Sequence, residues 1–179
     1  MPGGFHESQT DISLQSKMAK HLPTRQAGKL PISEFALTIR HDEIVDEVYL
    51  KISVAWAVPN VVGEASAGEA KALWDTGATH SCISERLAHK LGLEAVDYVH
   101  VATASGIEYV PTYFTHLFFP NGLEFRNWEL MQFKYSGDDS DLKIGMDIIT
   151  QGDFSITNFG GKTYCSFRIP SKHALDYEG

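Results

Sequence analysis

The chain is poor in cysteine, with only Cys82 and Cys165 in 179 residues and no Cys-x-x-Cys pair. That removes zinc ribbons and dithiol redox motifs from consideration. Each cysteine lies in an apolar stretch, so both are expected to be buried free thiols. Basic residues are in the minority, 15 Lys and Arg against 23 Asp and Glu, for a formal charge of −8. Nucleic acid and anionic membranes are therefore not expected partners, because both require a basic face. No run approaches the roughly 20 apolar residues that cross a bilayer. Residues Met1–Lys20 lack an apolar core behind a basic start, so no signal peptide is expected and the simplest setting is cytoplasmic. The 8 histidines are scattered, with no pair at i, i+4 around an acid, so no metal site and no cofactor are expected. Asp138–Asp141 lacks the spacing of a calcium loop and reads as an acidic turn. Gly63–Gly68 is not followed by Lys-Ser or Lys-Thr, so it is no phosphate loop.

What remains is ample for a packed core: 43% hydrophobic and 11% aromatic residues. Residues 1–30 are polar, with Gly and Pro and weak periodicity, and read as a flexible arm. Residues 31–170 form the folded domain and 171–179 a tail. Within the domain, Phe35–Ile39 and Glu47–Trp56 read as strands. In the second, Val48, Leu50, Ile52 and Val54 alternate with Glu47, Lys51 and Ser53. His41–Asp46 would connect them as a hairpin, and Pro59–Gly68 reads as a loop. Ala70–Trp74 is a further strand. Ser84–Leu93 is a short helix, with Ser84 as N-cap and Gly92 as its stop. Strand-like pieces follow at Tyr98–Ala102, Tyr109–Phe119, Leu123–Tyr135, Leu142–Ile144 and Phe154–Ile169. Asn121-Gly122 and Asn158–Gly161 are hairpin turns. Many short strands and one helix imply a mainly β domain, a closed barrel or a sandwich.

The chemistry is concentrated at Asp75. An apolar strand, Ala70–Trp74, delivers this carboxylate to a poorly hydrated place, where Thr76 and Gly77 follow it. The Thr76 hydroxyl can lock the loop against a partner loop. Gly77 permits close approach of a substrate, and its N–H can hold the carboxylate. Two such carboxylates facing one another share a proton. One can then act as base on a water while the other donates to a peptide carbonyl. An Asp-Thr-Gly tripeptide on its own is also an ordinary turn sequence.

The context of that tripeptide resembles the retropepsins, the retroviral-type aspartic protease family, with their cellular and bacterial relatives. Trp74–Leu93 is similar to the family's signature of apolar strand, Asp-Thr-Gly-Ala, short strand and helix. Val101–Gly106 resembles its flap, and Leu142–Ile149 its second signature of apolar residues followed by glycine. The order agrees over Phe35–Pro170. Lys143 and Met146 depart from the usual residues, an apolar one and an arginine. The resemblance implies a closed β-barrel with one short helix and one lobe per chain. It also implies an aspartic endopeptidase with Asp75 catalytic, supported by Thr76 and Gly77. Gly77, Ala78, Thr103, Ala104, Ser105 and Gly106 would then contact a peptide or protein substrate. One Asp-Thr-Gly occurs where the reaction needs two carboxylates, so a homodimer is expected. An inactive module that keeps the fold for dimerisation or peptide binding is the alternative. His80 is expected to be structural, and Cys82 a packed thiol and no nucleophile.

Overall fold

The computed structural model describes residues 34–57, 67–103, 106–134 and 139–178. The expected N-terminal arm, most of the Pro59–Gly68 loop, Ala104, Ser105 and Asp138 lie outside them. Ten strands and two short helices occur among the described residues. Six strands close on themselves in the order β2 (Tyr49–Trp56), β3 (Gly68–Trp74), β8 (Leu142–Ile144), β4 (Cys82–Ser84), β7 (Glu124–Phe133) and β6 (Gly106–Phe118). Pairing of β6 with β2 completes the barrel. Strand β5 (Asp97–Thr103) pairs along the first half of β6, from Asp97↔Thr112 to Thr103↔Gly106, and forms a hairpin outside the ring. Strands β1 (Phe35–Arg40), β10 (Lys162–Ile169) and β9 (Asp153–Phe159) make a separate antiparallel sheet with β10 at its centre.

Closure sets which faces are dry. Ile83, Leu117, Phe125, Leu130, Leu142, Ile144 and Ile148 point into the barrel, each at most 2% exposed. Truncating a side chain of this size in such a core costs about 2–5 kcal/mol. The three-stranded sheet turns Cys165, Phe167 and Ile169 toward the same core. Trp74 joins the two layers, its ring 5.0 Å from Phe167, 5.1 Å from Phe154 and 6.3 Å from Phe119.

Two expectations are corrected. His41–Asp46 does not close a hairpin, because β1 pairs with β10 and β2 pairs with β3 and β6. The segment is instead tied to β10, through His41 N–H to Thr163 O at 2.9 Å and Val45 N–H to Thr163 Oγ1 at 3.1 Å. The domain also has a second helix besides the expected one. Helix α1 (Glu85–Lys90) has Ser84 as its cap, and Leu87 N–H donates to Ser84 Oγ at 3.2 Å. It ends at Gly92, with φ of +64° and the paired amide bonds Gly92 to His89 and Leu93 to Ala88. That is the paired-bond helix stop a left-handed glycine allows. Helix α2 (Met146–Ile149) has no side-chain cap. It spans a single turn inside an apolar run, so no sequence punctuation announced it. The Asn121-Gly122 and Asn158–Gly161 turns form as expected, with φ of +83° at Gly122 and +62° and +76° at Gly160 and Gly161. No helix among the described residues is long and apolar enough to cross a membrane.

Candidate active site

Strand β3 runs from Gly68 to Trp74 and stops at Asp75, whose N–H donates to Ile144 O at 3.0 Å. The chain then turns tightly, with Ala78 N–H on Asp75 O at 3.2 Å. Gly77 N–H donates to Asp75 Oδ1 at 3.0 Å, the bond expected from the Asp-Thr-Gly order. A Cβ on residue 77 would lie 3.2 Å from that same oxygen. Asp75 and Ala78 are half-buried, while Thr76 and Gly77 are exposed. The loop thus presents one carboxylate at the surface of a core sealed beneath it by Trp74.

The loop is held from behind by β8 and the start of α2. Strand β8 lies between β3, its parallel partner, and β4, its antiparallel one. Met146 N–H donates to Ala78 O at 2.8 Å and Asp147 N–H to Thr79 O at 3.2 Å. Gly145 fits against His80 so closely that a Cβ there would sit 2.6 Å from the His80 carbonyl carbon. Ser81 N–H and Ser81 Oγ–H both donate to Asp147 Oδ1, at 2.9 and 2.7 Å, and Gly145 N–H donates to Ser81 Oγ at 3.0 Å. Trp128 Nε1–H reaches the other oxygen of Asp147 at 3.3 Å.

Reading the sequence missed Asp147 and Ser81. One signal was available: a carboxylate between Met146 and Ile148 in an otherwise apolar run needs polar partners to be kept there. Asp141, expected in an acidic turn, does structural work. Its carboxylate accepts from Lys71 N–H at 3.0 Å and Arg86 at 2.7 Å, linking β3 to α1.

Register connects the loop's strand to the outer hairpin. Leu73 pairs with Lys143, Lys143 with Cys82, Cys82 with Met131, Met131 with Thr112 and Thr112 with Asp97. Cross-strand partners share a sheet face, so these side chains form one row on the face opposite the barrel core. Val99 and Val110 continue it on the β5–β6 hairpin. On the hairpin's other face Tyr98, Ile107 and Tyr109 are exposed, and the two tyrosine rings stack with centroids 5.3 Å apart. The hairpin ends at the Thr103↔Gly106 pair, where Gly106 has φ of +129°. Of the expected substrate contacts, Gly77 and Ala78 share the Asp75 loop, and Thr103 and Gly106 share the hairpin's end.

Cys82 lies on the row, but burial, reinforced by Asp147, pushes its thiol up to about 12. Its Sγ–H donates to His80 O at 3.2 Å. Burial raises the Cys165 thiol to about 11. Neither is a thiolate nucleophile near neutral pH. Among the described residues, no three His, Cys, Asp or Glu side chains gather as a ligand set for a metal.

Residues 63–151 match the family model described as "gag-polyprotein putative aspartyl protease". No curated protein sequence matches the chain. Among solved structures, the chain is similar to a retropepsin-like aspartic protease from Rickettsia conorii. The identity is 17%, with 76% of this chain and 95% of that one covered and a TM-score of 0.46. It is also similar to the retroviral protease-like domain of Ddi1 from Leishmania major. There the identity is 18%, with 60% and 79% covered and a TM-score of 0.38.

Proposed function

The chain belongs to the retropepsin-like family of aspartic proteases, and from that premise we propose that it is an endopeptidase active as a homodimer. The observation that carries this reading is the Asp75 loop. It offers a half-exposed carboxylate, held by Gly77 N–H, on a support of backbone bonds to Ile144, Met146 and Asp147. A single carboxylate cannot serve as base and acid at once, so a second copy supplies the other Asp75. The singly protonated pair then binds a water between its members. One Asp75 takes a proton from the water as its oxygen attacks the peptide carbonyl carbon. The other donates its proton to the carbonyl oxygen. The resulting diol collapses: one hydroxyl gives its proton to the ionised Asp75 as the C–N bond breaks, and the leaving amine takes the proton held by the other, so the pair ends singly protonated. No covalent intermediate with the enzyme forms.

In this reading, the exposed Thr76 hydroxyl bonds to the loop of the other copy. Gly77 and Ala78 meet the substrate backbone, and so do Thr103 and Gly106 at the end of the β5–β6 hairpin. The row Leu73, Lys143, Cys82 and Met131 gives the cleft a wall that is apolar except for Lys143. Dimerisation is supported by the edge of the three-stranded sheet. Strand β9 has no second neighbour among the described residues, and it exposes Ile156 at 49% and Phe159 at 80%. It carries no Lys or Pro of the kind that guards sheet edges. The two free thiols fit a reducing, cytoplasmic setting.

The test is hydrolysis of fluorescently labelled, unfolded casein by the wild type and by Asp75→Asn. The amide keeps the shape of the side chain and cannot act as the base. Activity should vanish while the melting temperature and the sedimentation behaviour stay unchanged. An active Asp75→Asn protein, or an inactive wild type that is folded and dimeric, would sink the assignment.

A further inference from the structure

The geometry points to Asp147 as the positioning residue for Asp75, an inference that rests on the endopeptidase reading above. Its carboxylate is the side-chain link between α2 and the Asp75 loop. Oδ1 takes two donors from one residue, Ser81 N–H at 2.9 Å and Ser81 Oγ–H at 2.7 Å. The Ser81 hydroxyl, its proton so committed, accepts Gly145 N–H at 3.0 Å. Oδ2 receives Trp128 Nε1–H at 3.3 Å, which ties the unit to β7. Ile148 N–H also donates to Oδ1, at 3.0 Å, so the carboxylate is fixed on its own helix.

The consequence for Asp75 is geometric. The loop from Asp75 to Ser81 is anchored at its start by Asp75 N–H to Ile144 O. Its middle is anchored by the Ala78 and Thr79 carbonyls on the amides of Met146 and Asp147. Ser81 is the far anchor, and at 1% exposed it has Asp147 rather than solvent as its acceptor in the intact fold. Without Oδ1, Ser81 N–H and Oγ–H lose their acceptor in a dry place, a cost that drives the segment to another arrangement. The shift would be passed along a short loop to a carboxylate whose function depends on where it meets its symmetry mate. Displacements of about 1 Å in such constellations cost on the order of 100-fold in rate. Asp147 touches no substrate in this account; it acts through Ser81.

The experiment compares wild type, Asp147→Ala, Asp147→Asn and Ser81→Ala in two readouts. The first is casein hydrolysis, resolved into kcat and KM. The second, independent of activity, is hydrogen–deuterium exchange of the segment 76–82. Asp147→Ala should lower kcat about 30- to 100-fold with KM within about twofold, and should speed exchange of that segment while the barrel strands stay protected. Asp147→Asn keeps an oxygen for Ser81 and should recover most of both losses. Ser81→Ala should follow Asp147→Ala in kcat. Unchanged exchange in Asp147→Ala, or an Asn variant no better than Ala, would overturn the proposal even if the wild type hydrolysed nothing. An inactive wild type with the expected exchange pattern would instead overturn the endopeptidase reading and leave Asp147 as the anchor of the loop. Normal kcat in Asp147→Ala, with wild type active and Asp75→Asn dead, would overturn positioning alone.

Discussion

Gly145 lies so close to His80 that a Cβ added to it would sit 2.6 Å from the His80 carbonyl carbon and 2.8 Å from its oxygen. The backbone angle at Gly145 is ordinary, with φ of −89°, so the requirement for glycine is one of space. What stands in the way is backbone, which cannot rotate aside as a side chain does. Gly145→Ala should therefore destabilise by about 2–3 kcal/mol, at the upper end of overpacking costs. Urea unfolding would measure it, with the slope unchanged. A loss below about 0.5 kcal/mol, the level of a neutral surface change, would mean that β8 is free to shift away from the Asp75 loop.

Dimerisation should appear in the concentration dependence of activity. If each copy supplies one Asp75, the rate per mole of chain must fall when the protein is diluted below its dimer dissociation constant. Sedimentation at the same dilutions should show the same midpoint. Activity strictly proportional to protein over the whole range in which the protein is monomeric would contradict a shared site.

His116 should make stability depend on pH near neutrality. Burial holds its pKa below the ordinary histidine value, and the nearby Arg126 acts in the same direction, against Glu124. Its Nδ1 accepts Asn127 N–H at 3.1 Å, at a bulge where Asn127 has φ of +53°. The folded state therefore takes up the proton less readily than the unfolded chain. Stability should fall as pH drops through the unfolded histidine value, near 6.5, and level off below the depressed folded one. His116→Asn should flatten this segment of a melting-temperature profile between about pH 7.5 and pH 5. Parallel profiles for the two proteins would refute the assignment.

Asp153 should act in the same direction as His116, but in a more acid range. Its carboxyl is held well below the ordinary carboxylate range, first by Ser171, then by Arg168 and by Lys172 N–H. Ser171 and Lys172 N–H, the latter at 2.9 Å, latch the tail onto the start of β9, while Arg168 Nε, at 3.1 Å, binds the same carboxylate from β10. The stabilisation is present above the unfolded carboxyl value, near 3.9, and is lost as pH falls toward the depressed folded one. Asp153→Asn should melt below wild type at pH 7, and the gap should close with acidification. Trypsin should also cut after Lys172 faster in the variant. Equal cutting rates at pH 7 would show that the latch does not hold the tail.

Local signals carried a large part of this protein. The alternation from Val48 to Val54 placed β2, and Ser84 with Gly92 bracketed α1. The Asn-Gly and Gly-Gly turns placed two hairpins, and the order Asp75-Thr76-Gly77 predicted the amide bond to the carboxylate. Each depends on residues within a few positions of one another, so propensity and stereochemistry suffice. Tertiary structure alone decided the rest. Nothing near Phe35 says that β1 pairs with β10 across the length of the domain rather than with β2. Nothing near Leu142 says that three residues will slot between β3 and β4. Ser81 and Asp147 are 66 positions apart, and neither has a local reason to seek the other. They meet because barrel closure buries Ser81, half-buries Asp147 and brings the two side by side, and that juxtaposition is a property of the whole fold.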